Sequence, residues 1–124
     1  MGTSAFVSLE RQIPDLPDMD GKVLARDLDR LDELAAKLNL SSLCGFFGMS
    51  GHEMADLVGQ NLGKELPEAK WFAPAQGLAV VKGLLAHLRV NDPDNGAIPD
   101  LLVMEQILRK AQDAGVRWRL AIDI

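Results

Sequence analysis

A helix with one apolar face lies on a surface, whereas a helix with two needs cover on both sides. The stretch from Pro74 to Val90 is patterned as the second kind. At about 100° per residue, Leu78, Val80, Val81, Leu84, Leu85 and Leu88 fill one broad arc. Ala79, Gly83, Ala86 and Val90 fill a second arc of small residues. Two narrow polar seams separate the arcs, Lys82 with Arg89 and Gln76 with His87. Residues 75–90 are therefore expected to form the central helix of a compact domain, wrapped by protein on two sides.

The rest of the chain must be large enough to wrap it. Its 124 residues suit a single domain spanning 1–124. With 48% hydrophobic and 25% charged residues, a core forms without staples. Cys44, the single cysteine, rules out a disulfide within the chain and fits a reducing cytosol. The opening residues Met1 to Phe6 lack a basic region followed by a long apolar run, so no secretory leader is expected. Phe6 also stands where a myristoylation signal needs Ser or Thr. No apolar run approaches the ~20 residues of a membrane span. A net charge of −5 and a pI of about 4.9 repel phosphates, which argues against nucleic acid as a partner. The expectation is a cytoplasmic, acidic protein.

Local patterns supply the remaining elements. Ala5 to Glu10 alternates as a short strand, with Ala5, Val7 and Leu9 on one face. Ile13 to Gly21 holds two prolines and a glycine and reads as a linker whose acids suit a following helix N-terminus. From about Lys22 to Leu38 a helical stripe runs through Leu24, Leu28, Leu31, Ala35 and Leu38, and Asn39 can close it. Residues 41–49 are apolar yet interrupted by Gly45 and Gly48. Ser50 and Glu53 form a capping box for a short helix reaching about Val58. Gly59 to Pro67, holding Gly59, Gly63 and Pro67, reads as loop with room for one helical turn.

Beyond the central helix, Asn91 to Gly96 is turn chemistry. A last helix follows, with Pro99 in its first turn, a stripe of Leu101, Met104, Leu108 and Ala111, and Gly115 as terminator. Val116, Trp118, Leu120 and Ile122 then alternate with Arg117, Arg119, Ala121 and Asp123 in a strand with one apolar and one wet face. This predicts an α+β fold, mainly helical, with about four helices covering a small sheet formed by the N- and C-terminal strands. So small a sheet leaves edges, which keeps a homodimer open.

Each candidate site has a structural reading beside its functional one. His52 and Asp56 share a helical face at i,i+4, with Glu53 between them, as at the start of a zinc site. The second histidine of such a site is replaced by Asp56, and a third ligand would have to be His87. Capping by Glu53 is the plainer reading, and neither a metal nor a cofactor is expected. Gly45 to Gly51 precedes a helix but fits no phosphate-binding spacing. Asp92 to Gly96 falls out of register with a calcium loop. Cys44, lacking a basic neighbour in sequence, reads as a packed thiol and not a nucleophile. His87 reads as a hydrogen-bonded, partly buried histidine beside which a small pocket is worth seeking. Trp71 and Phe72 are either a binding hot spot or a staple on the central helix, and the staple is favoured. Arg117 and Arg119 either meet an acidic partner or pair with loop acids, and pairing is favoured.

The segments Lys70 to Leu78 and Gly115 to Asp123, with the opening Gly2 to Phe6, resemble an uncharacterised family of small bacterial proteins of unknown function. The resemblance implies a bacterial, cytosolic domain and transfers no catalytic residue. The functional expectation is a non-enzymatic protein–protein interaction module, one form of which is an immunity-type inhibitor whose acids imitate nucleic-acid phosphates. The rival is a small hydrolase or ligand- or metal-binding protein using His52, Glu53, Asp56 and His87.

Overall fold

The buried residues trace one cluster running from Ala5 through the helices to Leu120, and the order of elements explains how it closes. The computed structural model describes residues 3–47 and 70–123. They form β1 (Ser4–Leu9), α1 (Lys22–Arg26), α2 (Leu28–Lys37), a 3-10 turn (Leu43–Phe46), α3 (Pro74–Asn91), α4 (Ile98–Ala114) and β2 (Trp118–Asp123). The fold is α+β and mainly helical. Four α-helices among the described residues accompany a two-stranded antiparallel sheet made by the N- and C-terminal strands. The capping box at Ser50 and Glu53 and the helix expected after it lie outside the described residues.

α3 begins at Pro74, whose fixed φ and missing N–H suit the first helical turn. All six large residues of its broad arc are buried, none more than 4% exposed. The second arc behaves otherwise. Ala79, Ala86 and Val90 are exposed, Val90 at 80%, whereas Gly83 is half-buried and approached by Leu40. The two-sided cover expected of this helix is thus corrected to one broad covered side. The reason is area: methyl groups and a single valine gain little from leaving water compared with six larger aliphatic side chains.

α4 lies against α3 and contributes Leu101, Met104, Leu108 and Ala111, all fully buried. It ends at Gly115, whose φ of 68° places it in the left-handed region that a helix terminator needs. The helix expected from Lys22 to Leu38 is instead two helices separated at Asp27. The Asp27 N–H donates to the Val23 carbonyl at 2.9 Å and its own carbonyl accepts from the Leu31 N–H at 2.9 Å. Aspartate favours helix ends because its carboxylate competes for nearby donors, and here Arg26 engages it at 3.1 Å. The apolar stripe survives the break: Leu24, Leu31 and Ala35 are buried, and Leu28 and Leu38 pack against the core. Asn39 closes the pair at φ 58°.

β1 and β2 pair in the register Ser4↔Asp123 to Leu9↔Trp118. β2 is covered along its other edge by bridges from Phe72 to Trp118 and from Phe47 to Leu120. Among the described residues, β1 is therefore the outer strand. At its start the Ala5 N–H donates to the Gly21 carbonyl at 3.0 Å. Gly21 has a φ of 70°, and a Cβ there would fall 1.8 Å from the Ala5 carbonyl oxygen, so only glycine fits.

Candidate functional site

Trp71, Phe72, His87, Arg117 and Arg119 are the candidate binding residues of the sequence, and His52 with Asp56 its candidate metal ligands, although no metal is expected. His52, Glu53 and Asp56 lie outside the described residues, as does most of the glycine-rich stretch before them. Among the described residues, no group of three or more His, Cys, Asp or Glu is placed to hold a metal ion. No helix among them is long and apolar enough to cross a membrane.

The remaining candidates occupy four different settings. His87 sits half-buried on α3, where the Asn91 amide lies 3.3 Å from its Nδ1 and donates to its carbonyl at 3.0 Å. This is the hydrogen-bonded, partly buried histidine expected of a polar seam.

Trp71 and Phe72 precede α3 as an extended segment locked to β2. Phe72 exchanges main-chain hydrogen bonds with Trp118, donating at 2.8 Å and accepting at 3.0 Å. The Trp118 indole N–H donates to the Ala73 carbonyl at 3.1 Å, so the buried tryptophan ties down the start of the helix. Phe46 joins edge-on to Phe72 at 5.2 Å and tilted against Trp118 at 4.8 Å. Phe72 is therefore a core staple.

Trp71 does something the strand's alternation conceals. The Arg119 guanidinium lies 4.8 Å from its ring centroid, and Arg119 is only 8% exposed. The second face of β2, expected to be wet along its length, is covered here. An arginine's long stem and planar head make this possible, because both can lie against an aromatic ring.

Arg117 remains outside, where it makes a two-pronged pair with Glu10 at 2.7 and 3.0 Å. That hydrogen bond, with the nearby positive charge, holds the Glu10 carboxyl below its ordinary value and raises the Arg117 guanidinium. Pairing with a loop acid is thus the arrangement found for Arg117.

Two carboxylates that the sequence left unremarked organise the fold from a distance. Asp100, on α4 and 8% exposed, accepts from the Leu24 N–H at 3.0 Å and the Gly21 N–H at 3.4 Å. It caps α1, whose own preceding acids make no side-chain cap. Asp32, on α2, accepts from the Leu43 N–H at 2.6 Å, the Cys44 N–H at 3.2 Å and the Ser42 hydroxyl at 2.8 Å. Burial pushes the Asp32 carboxyl up, but these bonds and the Cys44 thiol outweigh it and hold the group below the usual carboxylate range.

Cys44 is exposed, not packed as its apolar neighbours suggested. Its thiol is nonetheless pushed up to about 11, first by partial desolvation and then by the Asp32 carboxylate. A thiol so placed is protonated at neutral pH and is a poor nucleophile. The acids after α3 serve the turn itself: Asp92 accepts from the Asn95 amide at 3.0 Å, and Asn95 accepts from the Ala97 N–H at 2.8 Å.

Of the surface depressions bordered by described residues, two lie beside these features. One of about 430 Å³ lies between the 3-10 turn and α3, bordered by Leu40, Ser42, Phe46, Phe72 and Gln76. Another of about 350 Å³ lies beside β1, bordered by Val7, Leu9, Arg11, Ile13 and Leu16. The five described candidates thus divide between a core staple, a covered arginine, a surface ion pair and a helix seam, and they do not converge on one cavity. No protein-family model, no curated protein and no solved structure matches this chain.

Proposed function

We propose that the protein is a non-enzymatic protein–protein interaction module of the cytoplasm. The observation that carries the reading is the contrast between its two sheet edges. β2 is closed off by Phe72 and Phe47, while among the described residues β1 keeps an outer edge beside a depression of mixed polar and apolar lining and an acidic loop. Trp71, Phe72, Arg117 and Arg119 are engaged with other parts of the chain, so the reading rests on the β1 edge and not on them. A net charge of −5 favours a basic partner. An immunity-type inhibitor, with exposed acids standing in for phosphates against a basic nuclease, is the narrower form of this reading. The likeness to small bacterial proteins is consistent with such a role and is itself part of the proposal.

The test is recovery of partners from the native host with the tagged full-length chain, across a range of salt concentrations. A stoichiometric basic protein retained at low salt and released at high salt is the expected result. Recovery of nothing but homo-oligomer at every salt concentration would sink the reading.

A further inference from the structure

We propose that the outer edge of β1, at Val7 to Leu9, takes up an extended segment of another protein as an added strand. The segment is apolar at alternate positions and rich in Lys or Arg at its flanks. The inference rests on the interaction-module reading and gives it a surface and a partner chemistry.

Strand parity fixes which main-chain groups face outward. The Glu10 N–H turns inward to the Arg117 carbonyl at 3.0 Å, whereas the Ala5 N–H turns outward to Gly21. Successive residues alternate, so Val7 and Leu9 share the direction of Ala5. Their N–H and C=O groups point off the sheet, and among the described residues no backbone group meets them. Such an edge is the ordinary receptor for strand addition, in which main-chain bonds give affinity and side-chain pockets give specificity.

The pocket is present as well. Half-buried Val7 and Leu9 form the strand side of the depression of about 350 Å³, and Ile13 and Leu16 of the following loop form its outer wall. An added strand would lay every second side chain into it.

Charge selects the occupant. The outer loop carries exposed Asp15, Asp18 and Asp20 and no Lys or Arg between Gln12 and Gly21. Of the cations nearby, Arg11 borders the depression and donates to the Ala114 carbonyl at 2.8 Å, Lys110 donates to that of Asp15, and Arg117 is paired with Glu10, so the outer loop's own charges are its three aspartates. Basic flanks on an incoming segment meet these acids favourably. A second copy of the chain would bring a like charge of −5 to the same place, which disfavours it.

The test is a two-dimensional amide NMR titration of the full-length chain with a short peptide in which valine and threonine alternate between paired lysines. The largest shifts are expected at Val7, Leu9, Ile13 and Leu16, with affinity falling as salt rises. Val7→Pro removes an outward N–H without touching the β1–β2 ladder, and should weaken binding about tenfold. Should that variant fold poorly, Ile13→Ser with Leu16→Ser alters only the loop wall and should weaken binding likewise. Val7 and Leu9 amides already protected from exchange in the protein alone would overturn the proposal, as would dimerisation through β1. Shifts centred elsewhere and unmoved by these variants would also overturn it, while leaving the module reading to its own test.

Discussion

Replacing Gly77 by alanine separates packing from propensity in this fold. A Cβ on Gly77 would lie 2.2 Å from Cζ2 and 2.8 Å from Cε2 of Trp118, and 3.0 Å from Cδ1 of Leu108. The indole must therefore move by on the order of 1 Å in a close-packed interior. It is poorly placed to do so: Trp118 is fully buried, its main chain is bonded to Phe72, its ring N–H is bonded to Ala73, and Phe46 lies against its ring. Overpacking of this kind costs about 1–3 kcal/mol, and weakening the indole hydrogen bond adds about 1 kcal/mol. Alanine in a helix returns up to about 1 kcal/mol. The net is a loss of about 2 kcal/mol, or roughly 6–10 °C in Tm for a domain of this size.

Gly83, on the same helix, is the control. Its Cβ would meet Leu40 Cδ1 at 2.6 Å, the far end of a half-buried, rotatable side chain. Gly83→Ala should therefore stay within about 0.5 kcal/mol of the parent, because the propensity gain offsets a rotamer change. Urea unfolding followed by circular dichroism and tryptophan fluorescence reads both variants. A Gly77→Ala protein as stable as the parent, or a Gly83→Ala protein as damaged as Gly77→Ala, would refute the packing account.

Other expectations follow from the two distant carboxylates and the thiol. Asp100→Ala strands the Leu24 and Gly21 N–H groups and should cost about 2 kcal/mol by urea unfolding, with Asp100→Asn costing less. Asp32 is held below its ordinary value in the folded state, so its contribution is present above about pH 4 and is lost as pH falls through the depressed value. The Tm gap between the parent and Asp32→Asn should thus be constant from about pH 7 to 5 and shrink below about pH 4; a gap that widens in acid would contradict the geometry. With the Cys44 thiol at about 11, its alkylation by iodoacetamide at neutral pH should run about two orders of magnitude slower than that of an unperturbed thiol. Asp32→Asn should restore part of that rate, and an unchanged rate would show that the carboxylate does not act on the sulfur.

What the chain's linear pattern determined is whatever repeats with the period of an element. The six aliphatics of α3, the stripe of α4, the Gly115 terminator and the alternation of Ala5, Val7 and Leu9 were legible because helix and strand geometry put such residues on one face. The fold class followed from them, as did the pairing of two strands that cannot stand alone. The staple at Phe72 and the half-buried His87 were legible for the same local reasons.

Tertiary structure alone decided what depends on partners far along the chain. Asp100 caps a helix across a separation of 76 residues, which no local capping signature announces. The break at Asp27 and the anchoring of the 3-10 turn by Asp32 likewise follow from which donors lie within reach. Arg119 belongs by alternation to the wet face, yet an aromatic ring arriving from another segment covers it. Ala79 and Ala86 belong by pattern to a covered arc, yet they face solvent, because periodicity records which residues share a face and not what lies opposite. The inequality of the two sheet edges is of the same kind. Parity sets the direction of each N–H, but only the placement of Phe47, Phe72 and Gly21 leaves Val7 and Leu9 as the edge facing outward.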